Sequence, residues 1–154
     1  MADEPTLPAD NPDVSRRESE AADSPTSAFR RALESGTFVY GAEIVSTRGL
    51  PSEPERLPPV ILARELASDP RIAWVSITDN PGGSPMLPPD GLAALLPAAQ
   101  GKSKVVIHLT CKDMNRSGLE SYAWRLAAQE LWNVLALTGD YPVTGFGGRP
   151  TGVF

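Results

Sequence analysis

Polar, chemically capable residues close four apolar runs of this chain: Glu43 in FVYGAEI, Thr78 with Asp79 and Asn80 after AWVSI, His108 with Thr110 in VVIHLT, and Thr138, Gly139 and Asp140 after VLAL. Carboxylates and an imidazole move protons, hydroxyls hold polar ligands, and two carboxylates in different surroundings can divide an acid role from an electrostatic one. Successive groups are separated by roughly 30 residues, the length of a βα unit. In parallel α/β folds ligands bind beyond the carboxyl ends of the strands, so these groups mark that edge as the place for chemistry.

The elements that must position them follow from patterning. VVIHLT is a short β-branched run of the kind that forms a strand buried on both faces. RSGLESYAWRLAAQELW carries Leu119, Tyr122, Ala123, Leu126, Ala127 and Glu130 at helical spacing, with Glu120, Arg125 and Gln129 expected in water. VLALTGD, residues 134–140, reads as a second buried strand, which makes a βαβ unit with parallel, adjacent strands. Residues 38–44 and 73–78 complete a set of four strands. Helices are expected over 59–68, 89–100 and 117–132, with Pro59 and Pro89 in first turns, where a missing amide proton costs nothing. The fold class is α/β.

VSITDNPGG, VVIHLTCKDMNRSGL and NVLALTGDYP, in this order and spacing, resemble the barrel of the methylenetetrahydrofolate reductase family from about residue 36 onward. LTGD alone is a weak signal; the three blocks together are specific. The resemblance implies a flavin-dependent (β/α)8 TIM barrel that binds FAD and reduces 5,10-methylenetetrahydrofolate to 5-methyltetrahydrofolate, with NAD(P)H as electron donor. Glu43 matches the general acid that protonates the folate's bridging nitrogen, a role that suits a carboxyl group whose burial raises its pKa. Asp140 matches the aspartate beside flavin and pterin that stabilises the cationic iminium. Thr78, His108, Thr138 and Gly139 match cofactor contacts, Asp140 among them. Many relatives have arginine where Thr138 stands, and an aromatic or Pro-Pro pair where IVSTRG follows Glu43.

A complete barrel needs about 250 residues, and this chain has 154. The expectation is a partial barrel of about four βα units over 28–154, a fragment with an open sheet edge and exposed apolar helix faces, completed by the remaining barrel half or by a homo-oligomer. Residues 1–27, rich in Pro, Asp, Glu and Ser and without aromatics, read as a disordered tail. A formal net charge of -5 gives no reason to bind nucleic acid or an anionic membrane surface, and no apolar run approaches the roughly 20 residues of a membrane span. With no visible secretion signal, the location expected is cytoplasmic.

Plainer readings stand beside these, and the one for Glu43 is a rim carboxylate on a solvated strand end. A lone histidine in an apolar strand is more often a core residue than a ligand contact, and only its place in HLTCKDMNR favours the second. Cys111, the single cysteine, has no partner base and reads as structurally buried. GFGG at 145–148 does not fit a dinucleotide loop and reads as flexible. Metal-ligand spacing is absent. Trp124 and Trp132, eight positions apart, suit core packing on one helix face. Two other function classes stand beside the reductase: a non-catalytic half-barrel that docks a partner, and a doubly wound nucleotide-binding domain, which EIVSTRGLP, lacking a phosphate loop, does not support.

Overall fold

The computed structural model describes residues 26–49, 52–96, 102–112 and 114–141. Most of the tail read at 1–27, the GFGG segment and the last part of the helix expected over 89–100 lie outside these residues. Helix α1 spans Thr26–Glu34 and takes in the last two residues assigned to the tail. There follow β1 (Tyr40–Ile44), α2 (Pro58–Ser68), β2 (Ile72–Ile77), α3 (Pro89–Ala93), β3 (Val105–Thr110), α4 (Arg116–Ala128) and β4 (Asn133–Leu137). Neighbouring strands are all parallel and lie in the order β1-β2-β3-β4. Four parallel strands in sequence order, alternating with helices, make a partial barrel-like α/β fold.

The register explains how one sheet serves two purposes. Side chains alternate between faces, and cross-strand partners share a face. Ile44, Ile77 and Ile107 are partnered across three strands, and Val75 is partnered with Val105 across two. These five form one cluster with Val60 and Ala63 of α2, Leu92 and Ala93 of α3, and Tyr122 and Leu126 of α4. Burying such a β-branched side chain stabilises by roughly 1.5–3 kcal/mol. The residues between them, Glu43, Ser76, Thr78, His108 and Thr110, fall on the other face.

Local chemistry sets the helix ends. Pro58 and Pro59 open α2, and Asn115 caps α4 by accepting the Gly118 amide at 2.8 Å. α4 stops at Ala128, earlier than the expected 132, because Glu130 adopts the left-handed region at φ 60°. Trp132 therefore lies beyond the helix. It is 46% exposed and Trp124 71%, so neither packs in the core as the spacing suggested. Trp74 does pack: its indole meets the Phe29 ring edge-on at 5.6 Å and lies so close to Gly41 that a Cβ there would collide with it.

The helical stripe is also narrower than expected. Ala123 and Glu130 are exposed, while Arg125 and Gln129, read as solvent-facing, reach back to the buried Asp90 of α3. Asp90 Oδ1 accepts from Tyr122 Oη at 3.0 Å and from Arg125 at 3.2 Å, and its Oδ2 accepts from Gln129 at 3.3 Å. Burial and the neighbouring Asp90 carboxylate push the Tyr122 hydroxyl well above its usual range. This buried network joins α3 to α4 on the helix side.

β4 corrects a second expectation. Only its first residue, Asn133, is buried, and Val134 and Leu135 are 43% and 45% exposed. It is a sheet edge rather than a strand covered on both faces, in keeping with the open edge anticipated for a partial barrel. Among the described residues, no helix is long and apolar enough to cross a membrane.

Candidate functional site

The loops beyond the strand ends are tied to one another before any ligand is considered. Thr78 donates its amide to the Ile44 carbonyl at 3.0 Å, and its Oγ1 accepts from the Ser46 amide at 3.4 Å. Ser46 Oγ donates to the Leu87 carbonyl at 2.6 Å, and the Leu87 amide to the Thr47 carbonyl at 2.6 Å. Asn80, left-handed at φ 46°, turns the chain into the Pro81–Gly83 turn and accepts the Met86 amide on its side chain. These bonds hold the segments after β1 and β2 as one rim.

The ends of β3 and β4 are joined to it. Cys111 donates its amide to the Leu137 carbonyl at 2.9 Å, extending the strand pairing by one residue; the cysteine itself is only half-buried. Asp140 Oδ2 accepts the Gly82 amide at 2.7 Å, a bond that reaches from the end of β4 to the loop after β2. Gly139 sits at φ 91°, and a Cβ there would stand 3.0 Å from Thr110 Cβ and Lys112 Cδ. Glycine is required at that point by both conformation and space.

Within this rim lies a cavity of about 290 Å³. All six residues singled out from the sequence line it: Glu43, Thr78, His108, Thr138, Gly139 and Asp140. Asp79, Pro81, Thr110 and Leu137 complete the wall. The residues thus come from the ends of all four strands and converge on one space. Sequence reasoning placed Asp79 and Thr110 at strand ends without giving them a role. Their signal was weak because what joins them is a contact across 31 positions, in which Asp79 Oδ2 accepts both the Thr110 amide and its hydroxyl.

Glu43 sits as the rim carboxylate of its plainer reading, not as the buried acid. Its side chain is 58% exposed, not buried in an apolar strand end, because it lies on the uncovered face of the edge strand β1. His108 is the reverse, with a side chain 9% exposed. Glu43 Oε2 and His108 Nε2 are 3.8 Å apart, too far for a hydrogen bond and close enough for charge attraction when the imidazole is protonated.

Chemically, the wall offers carboxylates, an imidazole and three threonine hydroxyls, with Leu137 and Pro81 as apolar surface. That mix of donors and acceptors fits a flat heteroaromatic ring edged with carbonyl and N–H groups, which needs apolar contact on its face and hydrogen bonds at its rim. The family model described as methylenetetrahydrofolate reductase matches residues 28–147, a span that contains every residue of this cavity. No curated protein and no solved structure matches the chain.

Proposed function

The chain belongs to the methylenetetrahydrofolate reductase family, and from that premise we propose that its cavity is the flavin site of a reductase of one-carbon folate metabolism. The reaction is reduction of 5,10-methylenetetrahydrofolate to 5-methyltetrahydrofolate, with FAD as cofactor and NAD(P)H as electron donor, in the cytoplasm. The observation that carries this reading is the convergence of Glu43, Thr78, His108, Thr138, Gly139 and Asp140 from four strand ends on one 290 Å³ space.

Bound FAD would supply the hydride chemistry, and the protein supplies position and charge. Thr78, His108, Thr138 and the backbone at Gly139 would hold its ring system. Glu43, at the rim beside His108, delivers a proton to the bridging nitrogen of the folate as the five-membered ring opens. A ligand lying over Glu43 would remove its water and hold the acid against the substrate, which burial within the strand does not do here. The Gly82 amide fixes Asp140, so a negative charge stands ready where the iminium cation develops and no reorganisation is needed. The sheet edges at β1 and β4 are where the rest of the barrel, or a second copy, would pair.

The test is spectroscopic and kinetic. Protein reconstituted with FAD should keep a flavin absorbance through desalting. Glu43→Gln should retain that absorbance and slow folate reduction by about 10²–10⁴-fold, the usual contribution of general acid catalysis. Wild-type rates in the variant would remove Glu43 from the mechanism.

A further inference from the structure

Asp79 lines the cavity and is only 8% exposed, a burial that a carboxylate tolerates only with partners. Its Oδ2 is fully engaged by Thr110, whose amide donates at 2.9 Å and whose hydroxyl donates at 2.7 Å. Among the described residues, its Oδ1 receives no donor. Among the described residues, every fully buried side-chain nitrogen or oxygen has a hydrogen-bond partner. An unpartnered Oδ1 must therefore reach open space, and the space that Asp79 borders is the cavity. The carboxylate is thus split: one oxygen holds the end of β3 and the other faces the cavity.

The surroundings state what kind of ligand. Glu43 and Asp140 also line the cavity, and among the described residues no lysine or arginine does. A phosphate or carboxylate would be repelled there, whereas an N–H group receives a strong acceptor. We propose that Asp79 Oδ1 is a recognition residue that accepts a hydrogen bond from a ring N–H of the planar heteroaromatic ligand. That chemistry is shared by the imide of a flavin and the amidine edge of a pterin. The proposal rests on the functional reading above and adds to it a residue and a recognition rule.

Asp79→Asn separates the two oxygens. An asparagine can keep its carbonyl on Thr110, which preserves the end of β3, while its amide replaces the cavity-facing acceptor with a donor. Calorimetric titration of wild type and variant uses two pairs of probes: lumiflavin against 3-methyllumiflavin, and pterin against a pterin methylated at N2 and N3 so that neither carries a hydrogen. In the variant, affinity for the N–H form of one pair should fall at least about tenfold, the scale of one lost charge-assisted bond, while its methylated partner binds as it does to wild type. A loss confined to the flavin pair assigns the N–H to the imide, and a loss confined to the pterin pair assigns it to the amidine. Equal affinity of wild type and variant for every probe, or equal losses for methylated and unmethylated forms, overturns the assignment to Asp79 and leaves the flavin reading standing. Wild-type protein that binds none of the four overturns both.

Discussion

Glu43 and Ile44 are neighbours on β1, yet one is 58% exposed at the cavity and the other is 2% exposed beneath α2. The same division runs across the sheet, with Ile44, Ile77 and Ile107 under the helices and Glu43, Thr78 and His108 on the opposite face. Because side chains alternate, a shift of one position along a strand separates a residue that holds the fold from one that meets the ligand. Stability and chemistry are therefore carried by different side chains of the same strands, and single substitutions should move one without the other.

The sharpest contrast comes from those two neighbours. Ile44→Ala should lower unfolding free energy by roughly 2–5 kcal/mol in urea denaturation, through lost burial and the cavity left behind. Glu43→Gln, on the exposed side, should change it by less than about 0.5 kcal/mol while abolishing most folate reduction. A large stability loss in Glu43→Gln would break the division.

The polar network on the helix side should give an intermediate effect. Asp90→Ala leaves the buried Tyr122 hydroxyl without its acceptor and should cost about 1–3 kcal/mol by the same measurement, with flavin affinity unchanged. A smaller, pH-dependent effect belongs to Tyr122 itself. Its folded pKa is raised above the ordinary value of 10.0, so its contribution is fully present below about pH 10 and is lost as pH rises beyond it. Urea midpoints should therefore fall more steeply above pH 10 in wild type than in Tyr122→Phe, and parallel curves would show that the hydroxyl contributes nothing there.

How much of this was legible in the sequence depended on the range of the interaction. Val105–Thr110 was read with its observed bounds, because a β-branched run is a local signal. The four strand ends were legible for the same reason, and so was their convergence, since strand ends in a parallel sheet share one edge. Helix α4 was overextended because the left-handed turn at Glu130 is not a glycine and announces itself weakly. Arg125 and Gln129 were read as solvent-facing because helical periodicity sees neighbours three and four positions away, not Asp90, 35 and 39 positions distant. The exposure of Val134, and the choice between a buried and a rim Glu43, turn on another fact: an apolar run announces a strand, and only the sheet order tells which strand is the edge. Helix α1 and the Asp79–Thr110 clamp had no signal of comparable strength.

His108 is the only histidine in the chain, and its side chain lines the cavity, so its imidazole reports on that space without any mutation. Nuclear magnetic resonance of that imidazole during titration with FAD tests directly whether the cavity is the flavin site. A saturable shift that reaches its end point at one flavin per chain is the result expected. Flavin binding that leaves the His108 resonances unmoved, or no binding at all, would contradict it.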